Sequence, residues 1–286
     1  MAETTYLSAG GVLQNGRSHT ADGSIFFVGT ATTVIRYAGL TILTDPNFIH
    51  SGDHVHIGYG LQAKRMTDPA IDIADLPPLD CLVLSHFHGD HFDQVAEAQL
   101  DKSLPIVTTL HAARALKNRG FRTAQGLETW QRTRFVKDSA QLMVTAMPGK
   151  HGAGLMNYAL PPVMGSILDF RDARNDVPPL RVYISGDTLL HKDLREIPKR
   201  FPGIHIGLFH LGGMRVMGMM LTMDAKQGLR AMRRINPDVA IPIHYGDYKL
   251  FKSPLRDFQK EVRDAGLQDR VAYLDRGQTY EFSVNQ

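Results

Sequence analysis

At 286 residues and 43% hydrophobic content, the chain can bury a full core. Its 32 basic and 29 acidic side chains are interspersed and leave a formal charge of +3. That balance argues against nucleic acid or an anionic membrane as a partner, since both favour basic clusters. The single cysteine, Cys81, excludes a disulfide within the chain and fits a reducing compartment.

Residues 1–11 show no charged region followed by an apolar run, and no stretch is apolar for long enough to span a bilayer. A soluble, cytoplasmic protein without integral membrane association is expected. Residues 24–29 (SIFFVG) read as a strand. Residues 33–37 and 40–44 are apolar runs around Ala38-Gly39, the pattern of a hairpin, which Asp45-Pro46 ends. Residues 47–68 are rich in His and Gly without a period and read as a long loop, a kind of segment that is often functional. Further strands are expected at 81–85, 106–109, 141–147, 181–185, 204–209, 239–243, 271–274 and 279–284, with Cys81 a small buried hydrophobe. Residues 152–177, interrupted by Pro161 and Pro162, give no assignable element. Helices are expected at 93–100, 111–118, 224–235 and 254–265. The third spaces Ala225, Leu229, Met232 and Ile235 along one face, with Thr222 as its N-cap and Arg230, Arg233 and Arg234 as a solvated face. The fourth starts with Pro254 in its first turn and ends near Gly266. Strands and helices alternate, no low-complexity linker divides them, and no repeat period shows. Residues 1–286 therefore read as one α/β domain.

The chemistry concentrates in Ser85-His86-Phe87-His88-Gly89-Asp90-His91. His86 and His88 are two apart, so an extended backbone puts both imidazoles on one face, where they can share an ion. Gly89 tolerates a turn that other residues resist, and Asp90 and His91 follow it toward a second position. Four candidate ligands in six residues are hard to explain by packing, because His and Asp are poor core residues unless paired. The wider pattern repeats this placement. His151, Asp187 and His244 each follow the carboxyl end of an expected strand, where α/β proteins place their sites.

On these residues the chain resembles the metallo-β-lactamase fold superfamily, whose signature is His-x-His-x-Asp-His, then a distant His, an Asp and a final His. The match is His86, His88, Asp90, His91, His151, Asp187 and His244, and the resemblance runs from about Phe26 to the C-terminal strands. Leu43-Thr44-Asp45-Pro46 and Ser185-Gly186-Asp187-Thr188 are similar to a metal-dependent hydrolase branch that includes the ascorbate-phosphate lactonase and the N-acyl-phosphatidylethanolamine-hydrolysing phospholipase D. Two departures set the chain apart. Gly29-Thr30-Ala31-Thr32 lacks a histidine often found in that turn, and Phe209-His210-Leu211-Gly212-Gly213 replaces a Pro-Ile-Gly phrase.

The resemblance implies an αββα sandwich, two mixed β-sheets face to face with helices outside, and a metal site at one edge. It implies that His86, His88 and His151 hold one divalent ion, that Asp90, His91 and His244 hold a second, and that Asp187 bridges them. Nitrogen and carboxylate ligands without thiolate suit Zn2+ first, and Mn2+ or Fe as well. The expected function is a metal-dependent hydrolase using a metal-bridging hydroxide to cleave a small phosphodiester, lactone or ester. Asp90 would be catalytic, orienting that hydroxide and accepting its proton. Asp45 would sit behind the ligands as an acceptor fixing an imidazole, with a plain Asp-Pro turn as the alternative.

Four more residues are candidates for substrate contact: His54 and His56 in the 47–68 loop, His210 at a strand end on the ligand edge, and Tyr245 as a donor to a leaving oxygen. His210 is expected near the site and outside the coordination set. The methionine-rich run 214–223 reads as core or a subunit contact before it reads as a wall for an acyl group. The expected partner is a small-molecule substrate, with a homo-oligomer left open. Other classes remain: nucleic-acid processing by the same metal site, an oxygen- or nitric-oxide-reducing di-iron protein, and a catalytically silent protein that kept the fold.

Overall fold

The computed structural model describes residues 3–7, 21–57, 62–152, 160–173, 178–216 and 218–284. Its strands run in chain order as β1 (Glu3–Tyr6), β2 (Ala21–Gly29), β3 (Thr32–Tyr37), β4 (Leu40–Thr44), β5 (His54–His56), β6 (Gln62–Lys64), β7 (Cys81–Val83), β8 (Ile106–Thr109) and β9 (Ala124–Leu127). They continue as β10 (Arg132–Lys137), β11 (Ala140–Pro148), β12 (Met164–Asp172), β13 (Leu180–Ile184), β14 (Ile206–His210), β15 (Arg215–Val216), β16 (Met219–Met220), β17 (Val239–Ile243) and β18 (Thr279–Val284). The helices are α1 (Gln94–Gln99), α2 (Leu110–Lys117), α3 (Glu196–Arg200), α4 (Ala225–Ile235) and α5 (Leu255–Asp264).

Two seven-stranded mixed sheets form the frame. One has the order β18-β2-β3-β4-β7-β8-β9, the other β1-β10-β11-β12-β13-β14-β17. The period-2 alternation of strand side chains divides the core into three layers. Ile35 and Ile42 face inward with Leu142, Leu168 and Leu208 of the other sheet. Their neighbours Val34 and Leu43 face outward, beneath Ala96 of α1 and Ala112 and Leu116 of α2. On the opposite side, Ile167, Tyr183 and Phe209 pack under Leu229 and Met232 of α4 and Phe258 and Val262 of α5. The architecture is thus the expected αββα sandwich. No helix among the described residues is long and apolar enough to cross a membrane.

Several local expectations are corrected. Residues 271–274 form no strand; Val271 makes a single bridge to Ala240. The 47–68 loop contains the β5–β6 pair, with Val55 opposite Ala63. Residues 152–177 hold β12, a nine-residue strand between β11 and β13. Helix α4 is capped by Asp224, whose side chain accepts from Gln227 N. Thr222 instead accepts from Met214 N, because it lies two residues before the N-cap position and too early to reach the helix's free amides. Pro254 is the residue before α5, with Leu255 the first helical one.

Candidate metal centre

Strand polarity gathers the ligands. β7 lies parallel to β4, while β11 and β13 are both antiparallel to β12, and β13, β14 and β17 are parallel. The carboxyl ends of β11, β13, β14 and β17 therefore share one edge, and the loop after β7 in the facing sheet meets them there. That edge carries His86 to His91, His151, Asp187, His210 and His244. Two glycines permit the approach. A Cβ on Gly89 would lie 2.6 Å from His56 O, and one on Gly186 (φ +61°) would lie 2.5 Å from Met164 O. Gly89 is needed for that closeness and not for its dihedral, a correction to the expectation of a glycine-dependent turn.

Ligand-type atoms fall into three compact groups, each with its atoms within 4.8 Å of one another: His86, His88 and His151; Asp90, His91, Asp187 and His244; and Asp45, His91 and His210, which shares His91 with the second. The first two together hold the seven residues of the sequence signature. The groups adjoin: the His86 ring lies 4.2 Å from His91 and 5.0 Å from His151, centroid to centroid. Asp187 Oδ2 is 3.4 Å from His91 Nε2, and its Oδ1 is 3.4 Å from His244 Nδ1. Asp90 Oδ2 is 3.5 Å from His244 Nε2.

All seven side chains are buried. His88 Nε2, His91 Nε2, His151 Nε2, both nitrogens of His244, and both oxygens of Asp90 and Asp187 have no hydrogen-bond partner. Buried polar atoms are ordinarily paired, and each orphan costs about 1–3 kcal/mol. So many orphans converging on two points fit divalent cations, which would satisfy them together, and the nitrogen–oxygen donor set suits zinc, manganese or iron. The electrostatics of the first group agree, whereas at His91 burial is outweighed by the Asp187, Asp90 and Asp45 carboxylates, which hold its pKa well above the usual value. Burial and neighbouring imidazoles push the His86 pKa well below its usual value, and burial with His151 brings His88 down to about 4. Burial outweighs the Asp187 carboxylate to hold His151 low as well. All three are thus neutral and free to donate a lone pair. Burial opposes ionisation of Asp187, but His244 and His91 overcome it and hold the carboxyl well below its usual range.

Behind the ligands, Asp45 Oδ1 accepts from Ser85 N at 2.6 Å, and its Oδ2 lies 3.4 Å from both His91 Nδ1 and His210 Nε2. Burial opposes its ionisation, but the two imidazoles bring its pKa down to about 2. His210 is fully buried against Asp45 and Ser185, its Nδ1 3.1 Å from Ser185 Oγ. Tyr245 is corrected: its hydroxyl donates to Leu274 O at 3.0 Å and is committed away from the ligands. His54 and His56 expose their rings, and the hairpin meets the ligand loop through backbone, Gly89 N donating to His56 O.

A second set of residues was not anticipated. Asn47, Arg65, Asp93 and Tyr248 are buried and joined by hydrogen bonds beside the Asp90–His244 group, and buried Asp247 joins them through Thr30. The Phe251 ring lies 4.4 Å from that of His244. Asp93 offered a sequence signal as the N-cap of α1. Arg65 offered none, since a charged residue in a loop normally reads as solvated. A surface cavity of about 1030 Å³ beside α2 and β9 contains none of the ligands.

The Beta-lactamase superfamily domain model matches residues 40–245. A UPF0173 metal-dependent hydrolase of Archaeoglobus fulgidus is 27% identical over 209 residues, 71% of this chain and 82% of the relative. One from Methanopyrus kandleri is 24% identical over 257 residues, 90% of this chain and 99% of the relative. The crystal structure of isothiocyanate hydrolase from Delia radicum gut bacteria has a similar fold, with a TM-score of 0.76 at 21% identity over 91% of this chain and 100% of that one. The matched span takes in most of both sheets and every residue of the two ligand groups, and the chain accordingly belongs to the β-lactamase superfamily domain family.

Proposed function

We propose that this protein is a metal-dependent hydrolase that holds two divalent ions and cleaves an ester-type bond in a small molecule. The observation that carries the reading is the convergence of buried, partnerless His and Asp atoms on two adjoining points at one sheet edge. His86, His88 and His151 would hold one ion and Asp90, His91 and His244 the other. Asp187 would serve both, since its charge acts on His86 and His151 as well as on His91 and His244. When bound, such ions acidify water to a pKa of about 7 and polarise a carbonyl or phosphoryl oxygen. Asp90 lies beside the centre with both oxygens free, placed to orient the attacking water and take its proton. Asp45 holds His91 from behind, keeping its Nε2 turned to the centre. Lactones, carboxyl esters and phosphodiesters are the substrate classes that this chemistry serves. The similarly folded isothiocyanate hydrolase adds isothiocyanates to the set worth testing.

Elemental analysis of purified protein, with a screen of those four substrate classes repeated on Asp187→Ala, tests the reading. Near two metal equivalents, with turnover lost in the variant, is expected. Hydrolysis by metal-stripped protein, or full activity of Asp187→Ala, would overturn it.

A further inference from the structure

Asn47 carries an unusual load for a residue outside the two ligand groups. Its Oδ1 receives Arg65 Nη1 at 2.6 Å, the Tyr248 hydroxyl at 2.9 Å and the Thr30 hydroxyl at 3.1 Å. Its Nδ2 donates to Gly89 O at 3.1 Å and Asp93 Oδ2 at 3.2 Å, and its backbone N donates to Thr32 Oγ1 at 2.9 Å. Two of the paths end next to a ligand of the second group. The third ends at Gly89, which lies between His88 and Asp90. Thr32 Oγ1 donates to the carbonyl of Asp45, whose carboxylate backs His91. Thr30 O accepts from His244 N at 2.6 Å, and Thr30 N donates to Asp247 Oδ2 at 2.9 Å, three residues beyond that ligand. Among the described residues, no hydrogen bond of Asn47 leads toward His151, which is held by Leu221 O and by the Lys150 N–Thr188 Oγ1 bond.

Arg65 locks the hub. It is 0% exposed, donates Nη1 also to Asn47 O at 2.8 Å and Nε to Thr67 O at 2.9 Å, and its own backbone bridges to Tyr248. A buried guanidinium is costly unless its charge is matched, and here it sits among the Asp93 and Asp90 fields that also act on Tyr248. We infer that Asn47 and Arg65 are positioning residues that fix the Asp90–His91–His244 half of the centre more strongly than the His86–His88–His151 half, whose His151 they do not reach. The inference rests on the proposal that these groups bind two ions.

The test is titration of metal-stripped protein with Co2+, followed by visible absorbance and calorimetry, with unfolding of the stripped protein recorded alongside. The wild type is expected to bind in two phases. Asn47→Leu and Arg65→Met are expected to weaken one phase by about 10–100-fold, the usual effect of removing a partner that orients a ligand, and to leave the other within about twofold. His151→Ala should weaken the opposite phase. Tyr248→Phe, which deletes one hydroxyl from the hub, gives the same asymmetry in smaller measure should the larger substitutions fail to fold. Arg65→Lys should restore part of the lost affinity. Equal weakening of both phases, or unchanged binding in folded Asn47→Leu and Arg65→Met, would overturn the inference. Absence of two phases in the wild type would instead overturn the dinuclear reading beneath it.

Discussion

Stripping divalent metal should lower the melting temperature by an amount that the ligand set fixes in scale. The ligand atoms are buried and unpaired without an ion, so binding belongs to the folded state and adds directly to its stability. An ion at about 1,000 times its dissociation constant stabilises by about 4 kcal/mol. For 286 residues, an unfolding entropy of about 2.1 cal/mol/K per residue gives roughly 0.6 kcal/mol/K. Each filled group should therefore raise the midpoint by about 7 °C, and both by about 14 °C. The assay is scanning calorimetry of chelator-stripped, dialysed protein against the same protein in excess Zn2+. Asp187→Ala should lose most of the increment because that carboxylate acts on both groups, whereas His151→Ala should lose about half. Stripped and loaded midpoints agreeing within about 2 °C would refute the assignment of the orphaned atoms to metal.

Gly186→Ala should destabilise by more than about 3 kcal/mol, because the residue sits at φ +61° and its new Cβ would press on Met164 O. Urea unfolding checks this, and a cost below about 1 kcal/mol would show that the β13 loop yields. Tyr37→Phe should cost about 0.5–1.5 kcal/mol at neutral pH, since the hydroxyl donates to Pro178 O at 2.6 Å. Burial pushes that phenol up to about 12. The unfolded chain ionises near pH 10 while the native state resists. The tyrosine's contribution is therefore full below pH 10 and lost as pH rises through 12. Unfolding of wild type and variant at pH 8 and pH 11.5 should show the gap closing; a gap that widens would reverse the argument.

Helices α4 and α5 were legible in the sequence because one face meets the core and the other meets water. The β3–β4 hairpin is buried on both faces and was legible through its two apolar runs around the Ala38-Gly39 turn. β12 hid because its first five residues are all buried, which erases the alternation, and because it follows Pro161 and Pro162. β5 and β6 hid because three-residue strands carry too little pattern to outweigh His and Gly. At the candidate centre, the residues of the two groups stood out because His and Asp at strand ends have no packing explanation. Asn47 and Arg65 did not. Their work depends on which segments fold back on one another, such as Arg65 against Tyr248, and nothing in their local sequence encodes that encounter.

The same network accounts for three of the backbone's left-handed residues. Ala38, Asp138 and Asn236 also have positive φ, but they occupy hairpin turns and a helix C-cap, where such angles are ordinary, and Trp130 at 72° lies in the β9–β10 connection, outside the network. Thr30 at 51°, Asp45 at 36° and His244 at 61° are different. None is a glycine, one is β-branched, and left-handed backbone costs each about 1–2 kcal/mol. All three lie within a short chain of hydrogen bonds: His244 N to Thr30 O, Thr30 Oγ1 to Asn47, and Asn47 N through Thr32 Oγ1 to Asp45 O. Strain of this kind persists only where surrounding structure over-determines it. The hub supplies that constraint, with bonds from three loops closing on one amide. The left-handed turns in exchange aim His244 and Asp45 back across the sheet edge, where an extended chain would carry them past it. The strain and the buried arginine are therefore two parts of one device, which trades local backbone energy for a fixed ligand geometry.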